Sequence, residues 1–209
     1  MTWKTLIFSW GVVCPIWLCV CSSLLVIIRS HMLGFQMSST KQLAAQLGVL
    51  RTRKLGRETS SLKSLQNLTH LLVIDFESTC WAERSNAPPP EIIEFPVILL
   101  CLSTGRQLSE FRQMVMPIEH PRLSNFCTVL TGIGQQQVEA GIPLPTCLVL
   151  YNQWLEKVSS EHGLLPGAFT CCTWSDWDLN LCLENECRRK QVRKPASLNG
   201  WVDIRAVYR

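Results

Sequence analysis

The 209-residue sequence predicts an α/β domain, with a mixed five-stranded sheet and helices on its faces. Two observations predict this class. Apolar runs of strand length recur along the chain, and the later ones alternate with longer segments that repeat apolar residues at helical spacing. In addition, a composition with 47% hydrophobic residues is enough to build a core at this length. The sequence therefore excludes a wholly disordered chain.

The strands are expected where apolar runs are bounded by turn residues. Short connections make the first three strands antiparallel, and a hairpin turn at 103–106 joins the second to the third. The first run, Leu71 to Ile74, is apolar throughout and predicts a strand buried on both faces. The five predicted strands are 71–74, 92–102, 110–116, 169–174 and 201–206.

The helices are expected at 123–130, 135–140, 146–159 and 179–189. Ser124 is placed to accept a hydrogen bond at the start of the first of them, as an N-cap. The third is the most regular, because its apolar residues fall on one helical face. These residues are Leu148, Leu150, Tyr151, Trp154, Leu155 and Val158.

Two acids, Asp75 and Glu77, follow the first strand directly. Side chains alternate along extended backbone, so both acids point the same way. Neighbouring buried carboxylates repel each other, and a hard cation such as Mg²⁺ or Mn²⁺ is the usual counter-charge. The alternative is that one acid caps a helix while the other pairs with a surface arginine. The pattern D-x-E by itself leaves both interpretations open.

The residues around the acids form longer motifs: Val73-Ile74-Asp75-Phe76-Glu77-Ser78-Thr79-Cys80-Trp81, Glu91-Ile92-Ile93-Glu94-Phe95-Pro96, Leu130-Thr131-Gly132-Ile133 with Gln135 and Val138 behind it, Thr173-Trp174-Ser175-Asp176-Trp177-Asp178-Leu179, and Trp201-Val202-Asp203-Ile204-Arg205. Together these motifs resemble the DEDDh 3′-5′ exonucleases, and most closely their Eri-1 (ERI/THEX) exoribonuclease branch. The resemblance covers about residues 37–209.

The resemblance implies a ribonuclease H-like exonuclease fold and metal-assisted hydrolysis at the 3′ end of single-stranded RNA. Asp75 and Glu77 match the first motif, and Asp178, preceded by the aromatic Trp177, matches the second. In the family these carboxylates hold two divalent ions, Mg²⁺ or Mn²⁺. One ion generates hydroxide and the other stabilises the leaving oxygen. Asp176 is a competing candidate, and a helix-capping role remains open for both Asp176 and Asp178.

The third motif of the family, His-x4-Asp, does not occur before Arg209. The motif supplies the general base and a fourth carboxylate, and the four histidines of the chain do not replace it: His31, His70, His120 and His162. We therefore expect an exoribonuclease whose activity is impaired in this C-terminally incomplete chain. The alternative is a form that binds RNA or metal without catalysis.

Charge and cysteine content bear on partners and compartment. The net charge of +4 comes with basic clusters at 41–63 and 188–194, which suit RNA but also suit a solvated basic face. The eleven cysteines are odd in number, scattered and without paired C-x-x-C sets, so neither a zinc site nor a disulfide framework is predicted. A reducing compartment, cytoplasmic or nuclear, is expected.

The N-terminus differs from the rest of the chain. Residues 6–28 carry no charge over 23 positions between Lys4 and Arg29, which is enough to span a bilayer as a helix. Basic residues after the run would keep the following domain cytoplasmic. A cleaved signal peptide is one alternative. Another is an added extension, because the resemblance begins near Met37. The expected organisation is a hydrophobic segment at 1–36, a basic flexible arm at 37–69 and the exonuclease domain at 70–209.

Overall fold

The computed structural model describes residues 50–52, 68–83 and 85–207. Within them the chain forms a seven-stranded mixed sheet. The strands are β1 (Leu50–Thr52), β2 (His70–Ile74), β3 (Glu77–Ser78), β4 (Ile92–Cys101), β5 (Gln107–Met114), β6 (Phe169–Thr173) and β7 (Gly200–Asp203). The α/β class and the mixed sheet predicted from the sequence are confirmed.

The sheet is parallel in its centre and antiparallel on both sides. Its order is β1-β7-β6-β2-β4-β3, and β5 pairs with β4. β2, β6 and β7 run parallel to one another, whereas β1, β3, β4 and β5 pair antiparallel with their neighbours. All five predicted strands are present. The short strands β1 and β3 are additional, and β1 lies within the range predicted to be a flexible arm.

Of the five α-helices in the described residues, four lie in connections between strands and the last follows β7. They are α1 (Asn125–Thr131), α2 (Gln135–Glu139), α3 (Leu144–Glu161), α4 (Leu183–Arg189) and α5 (Ile204–Val207). Ser124 caps α1 as predicted, because its Oγ accepts a hydrogen bond from the N–H of Cys127 at 3.0 Å. α1 then ends at Gly132, whose φ of 73° lies in the left-handed region that glycine adopts without strain.

Two predicted elements differ from the structure. The expected strand at 201–206 ends at Asp203, and its last residues belong to α5. Asp203 Oδ1 accepts a hydrogen bond from the N–H of Ala206 at 3.1 Å, which is the contact of an N-cap and explains the change. The helix expected at 179–189 begins earlier, as a π-helical turn at Trp177–Cys182 that leads into α4.

The core on one face of the sheet is built around aromatic rings. Tyr151 and Trp154 of α3 pack against Phe95 of β4 and Phe111 of β5, with ring centroids 5.6–6.1 Å apart. Tyr151 is fully buried, and its hydroxyl lies 3.2 Å from Ser197 Oγ. Aromatic pairs in this range stabilise a core beyond the area they bury.

The opposite face carries a second apolar cluster, so β2 is buried on both sides as predicted. Leu72 and Ile74 of β2 belong to the first core. Leu71 and Val73 point the other way and pack with Ile98, Leu100 and Cys172. The end of β2 is therefore held firmly where the two acids follow it.

The remaining N-terminal predictions fall largely outside the described residues. The hydrophobic run 6–28 and most of the basic range 37–69 lie there. Among the helices that the structure describes, none has the length and apolar character needed to cross a membrane.

Gly141 sits where two backbone segments touch, just before α3. The N–H of Ile142 donates to Met114 O, and Met116 donates to Ile142 O. A Cβ on Gly141 would lie 2.9 Å from Met114 O and 3.0 Å from Met116 N. We predict that Gly141→Ala lowers the free energy of unfolding by about 1–3 kcal/mol, measured by denaturant titration.

Gly134→Ala is the matched control for this prediction. Its nearest neighbour would be Gln137 Oε1 at 3.6 Å, an ordinary contact, and its φ of −88° suits alanine. A loss of stability as large at Gly134 as at Gly141 would contradict the close-approach explanation.

Candidate active site

Three carboxylates reach one edge of the sheet from three segments. Asp75 follows β2, Glu77 lies in β3, and Asp178 lies in the π-helical turn after β6. β2 and β6 are adjacent and parallel, so their carboxyl ends meet at the same edge. β3 pairs with β4 beyond the end of β2, which keeps Glu77 beside this edge.

Glu77 is also buried, but Asp178 is the most deeply buried member of the group. It is 4% exposed, and its Oδ1 accepts a hydrogen bond from the N–H of Phe76 at 3.0 Å. Phe76 stands between the two other acids, so this bond joins the π-helical turn to the break between β2 and β3. Burial raises the pKa of Asp178 well above its usual range, and the charges of Asp75 and Glu77 raise it further.

Asp176 has a different role from Asp178. Its carboxylate makes no capping hydrogen bond to the helix that follows. Instead, Oδ1 accepts a hydrogen bond from Trp201 Nε1 at 2.9 Å, which ties the turn to β7. The capping role considered for Asp176 is therefore wrong. Asp178 does not cap the helix either, because its Oδ1 takes the Phe76 N–H from another segment.

A pocket of about 250 Å³ opens beside the acids. Its walls combine apolar surface with hydroxyl groups and one carboxylate: Phe76, Glu77, Ser78, Cys80, Leu130, Thr131 and Trp177. Trp177 is 38% exposed, so its ring faces both the pocket and solvent. Of these residues, sequence reasoning assigned a site role only to Glu77. Phe76, Ser78 and Cys80 lie within three positions of Glu77, whereas Leu130, Thr131 and Trp177 lie 53 to 100 positions further along the chain and cannot be grouped with it by spacing.

The donor set suits a divalent cation. Carboxylate oxygens are hard ligands of the kind that Mg²⁺ and Mn²⁺ prefer. Burial is the main cause of the raised pKa of Asp178, and the charges of Asp75 and Glu77 add to it, so a cation at this position would favour the ionised form of all three acids. Among the described residues, no three His, Cys, Asp or Glu side chains are grouped closely enough to enclose an ion as they stand. The residues that would hold an ion are Asp75, Glu77 and Asp178.

The described histidines do not join this group. His70 lies at the opposite end of β2 from Asp75, with Nδ1 2.7 Å from Thr69 Oγ1. His162 ends α3. The ring of His120 packs edge-on against Trp81 at 5.9 Å. Within the described residues, the groups that act on the Asp178 carboxyl are acids and backbone N–H groups.

The basic cluster 188–194 is used largely inside the domain. Lys190 lies between Glu91 and Glu186, and Lys194 Nζ donates to Leu179 O at 2.6 Å. Other members pair with nearby acids: Arg188 with Glu184 at 3.5 Å and Arg189 with Glu119 at 3.1 Å. Most of this positive charge is therefore neutralised by the protein itself. The interpretation of this cluster as an RNA-binding patch loses its support.

The pKa shift of Asp178 predicts a pH dependence of stability. The pKa of Asp178 is raised in the folded state, whereas in the unfolded chain an aspartate has a pKa of about 3.9. As the pH rises above that value, ionisation of Asp178 therefore favours the unfolded state and lowers the stability of the folded one. Asp178→Asn keeps an acceptor for the Phe76 N–H and removes the charge. In metal-free buffer, the variant should melt at a higher temperature than the parent at pH 7, with a smaller difference at pH 4.

Melting curves at several pH values between 4 and 8 check this prediction. Asp176→Asn serves as control, because that side chain bonds Trp201 and no pKa shift of Asp178 is attributed to it. A lower melting temperature of Asp178→Asn than of the parent at pH 7 without metal would contradict the repulsion.

Comparison with known proteins places this geometry in a family context. The sequence model of a family described as exonuclease matches residues 72–203. The chain is 48% identical over 187 residues to ERI1 exoribonuclease 2 of Xenopus laevis, covering 82% of this chain and 27% of that protein. It is 44% identical over 169 residues to the 3′-5′ exonuclease Snipper of Drosophila melanogaster, covering 75% of this chain and 59% of Snipper.

The fold is also similar to that of a solved exonuclease structure. The nuclease domain of 3′hExo, a DEDDh family member bound to rAMP, superposes with a TM-score of 0.61 at 32% sequence identity. The match covers 68% of this chain and 70% of that domain. The chain thus spans about a quarter of the length of the ERI1 exoribonuclease 2 relative and most of a nuclease domain.

Proposed function

We propose, since the chain belongs to the exonuclease family, that it is a metal-dependent 3′-5′ exoribonuclease acting on the 3′ end of single-stranded RNA. The observation that carries this proposal is the meeting of Asp75, Glu77 and Asp178 at one edge of the sheet, beside a pocket. The similarity to ERI1 exoribonuclease 2 and Snipper supports the reaction type and its direction.

The three carboxylates would hold Mg²⁺ or Mn²⁺, with two ions in the complete site that the family implies. Such ions supply Lewis acidity, which lowers the pKa of a bound water and stabilises charge on a leaving oxygen. The chain's own contribution is to hold the acids in place. The hydrogen bond from Phe76 fixes the Asp178 carboxylate, and the pairing of β3 with β4 fixes Glu77.

The pocket would receive the terminal nucleoside of the RNA. Trp177 and Leu130 offer apolar surface to a base, whereas Ser78 offers a hydroxyl group to polar atoms. The Thr131 hydroxyl is already used, because it donates to Cys127 O and accepts from the N–H of Ile133. The bound rAMP in the 3′hExo structure supports a nucleotide as the occupant. Pocket and carboxylates share Glu77, so a nucleoside in the pocket would bring its phosphate to the acids.

The described cysteines support a reducing compartment. All eight are free thiols, and most are buried. Burial raises the pKa of Cys171 to about 12, which keeps this thiol protonated and unreactive. We place the exonuclease domain in the cytoplasm or nucleus on this basis. A membrane attachment through residues 6–28 stays a separate proposal, which rests on the sequence alone.

A second candidate is an RNA-binding protein without catalysis. The observation that favours it is that no described histidine joins the carboxylates, so the described residues offer no histidine as general base. Such a protein would keep the pocket and the metal site and would lack a group to take the proton from the attacking water.

The test is hydrolysis by the full chain of single-stranded RNA labelled at its 5′ end, with Mg²⁺ or Mn²⁺. We predict a ladder that shortens from the 3′ end one nucleotide at a time. Asp75→Ala and Asp178→Ala should each slow it at least about a hundredfold, the lower range for a group acting in the transition state. The control Asp176→Asn should leave the rate nearly unchanged, because Asp176 serves Trp201.

Three outcomes separate the candidates. Metal-dependent shortening that needs Asp178 supports the exonuclease. RNA binding without any shortening supports the non-catalytic form. Shortening at an equal rate in Asp178→Ala would contradict the assignment of the site.

A further inference from the structure

A buried ion cluster lies behind the candidate active site and takes no part in the chemistry described above. Lys190 Nζ is 2.7 Å from Glu91 Oε2 and 2.5 Å from Glu186 Oε1. Both glutamates are fully buried, and the side chain of Lys190 is only 7% exposed. Burying three charges is costly unless each is paired and hydrogen-bonded, so the cluster needs an explanation.

Glu91 connects the cluster to the strand that carries Glu77. The N–H of Thr79 donates to Glu91 O at 2.8 Å, and the N–H of Glu91 donates to Thr79 Oγ1 at 2.9 Å. Thr79 is two residues from Glu77 and follows β3 directly. The backbone of Glu91 therefore sets the position of β3.

The Glu91 carboxylate also holds the loop before α1. It accepts hydrogen bonds from the N–H groups of Ile118, Glu119 and His120 at 2.7–3.1 Å. This loop leads into α1, and the end of α1 supplies Leu130 and Thr131 to the pocket. The position of that pocket wall thus depends on Glu91 as well.

Glu186 connects the cluster to the helix that follows Asp178. Glu186 and Lys190 are one turn apart at the end of α4, which continues from the π-helical turn containing Asp178. Glu186 Oε2 accepts a hydrogen bond from the N–H of Ile92 at 2.7 Å. The same cluster therefore fixes the segment of Asp178 against the start of β4.

We propose that Glu91, Glu186 and Lys190 are positioning residues that hold Glu77, Asp178 and the pocket wall in the arrangement that binds a divalent cation. The inference rests on the proposed function, because it takes that cation as the ligand. The three residues touch neither the cation nor RNA. They contact three segments, the residues after β3, the loop before α1 and the start of β4, so a change in the cluster reaches the elements that carry both acids and the pocket wall.

The charge state of the cluster agrees with this role. Burial raises the pKa of the Glu91 carboxyl, but the hydrogen bonds from Lys190 and from three backbone N–H groups outweigh burial and hold it below its usual value. The hydrogen bonds that Lys190 donates to both glutamates raise its pKa despite burial. Glu91 and Lys190 therefore stay ionised at neutral pH, so their ion pair persists under the conditions of the reaction. Burial raises the pKa of the Glu186 carboxyl, although its hydrogen bonds from Lys190 and the Ile92 N–H act against that rise.

The competing explanation is that the cluster only stabilises the fold, since breaking a buried ion pair destabilises a protein strongly. Affinity for Mn²⁺, measured on folded protein, separates the two explanations. The variants are Glu91→Gln, Lys190→Met and Glu186→Gln in the full chain. Leu155→Ala on α3 is the control, because it removes core packing without touching the cluster.

Calorimetric titration with Mn²⁺, below the melting temperature of each variant, gives the affinities. Glu91→Gln and Lys190→Met should weaken Mn²⁺ binding by about 10–100-fold, the usual effect of losing a partner behind the ligands. Leu155→Ala should lower the melting temperature without changing the affinity. Glu186→Gln keeps an acceptor for the Ile92 N–H. If the other two variants do not fold, its Mn²⁺ affinity distinguishes the positioning role from a purely structural one.

Two results would overturn the proposal and differ in what they mean. If the parent binds Mn²⁺ and the cluster variants bind it equally well, the cluster is only structural and the proposed function stands. If the parent itself binds no Mn²⁺, the proposed metal-dependent function fails and the positioning role fails with it.

Discussion

The repulsion among Asp75, Glu77 and Asp178 is the constraint on which the rest of the structure depends. Burial raises the pKa of Asp178 most, and the charges of Asp75 and Glu77 raise it further, whereas hydrogen bonds from the backbone N–H groups of Phe76 and Asp178 lower it. The arrangement persists because parallel pairing of β2 with β6 and the Phe76 to Asp178 hydrogen bond hold the segments together. The unfavourable electrostatic energy at this edge is offset by stabilising contacts elsewhere in the domain, as is usual at functional sites.

Two kinds of contact in the surrounding structure stabilise the segments that carry the acids. Apolar packing on both faces of β2 fixes the strand up to Asp75, with the aromatic group of Phe95, Phe111, Tyr151 and Trp154 on one side. Polar contacts add to this packing, because the Glu91 carboxylate binds both Lys190 and the backbone N–H groups of the loop before α1. Apolar packing and the buried ion cluster therefore hold the segments that carry the three acids.

Local patterns made much of this predictable from the sequence. The apolar run before Asp75, the cap at Ser124 and the apolar face of α3 are features of neighbouring residues, and each appears in the structure, except that Leu150 of the predicted α3 face is exposed. Asp178 is predicted only through the resemblance of residues 173–179 to a family motif, because its distance along the chain from Asp75 and Glu77 carries no signal. The strand β3 has two residues, too few for any periodicity, and the pairing of β1 with β7 joins residues about 150 positions apart.

The role of Glu91 cannot be predicted from the sequence either, because its contacts are also distant along the chain. Its partners Ile118, His120 and Lys190 follow it by 27 to 99 positions, and no pattern within a window of a dozen residues connects them. Asp176 and Asp178 differ only in what each meets in three dimensions, Trp201 in one case and Phe76 in the other. Ile204 is β-branched, which favours a strand. In the structure it begins α5 instead, and the N–H of Ala206 donates the N-cap hydrogen bond to Asp203 Oδ1.

A double-mutant cycle of Asp75→Asn and Asp178→Asn, with unfolding measured with and without Mn²⁺, tests the shared site most directly. Without metal, each substitution should raise the free energy of unfolding, and the double variant should gain less than the sum by about 0.5–3 kcal/mol. With Mn²⁺, each substitution should lower stability relative to the parent, because a ligand is lost. Additive effects in metal-free buffer, together with no response to Mn²⁺, would show that the two acids do not share a site.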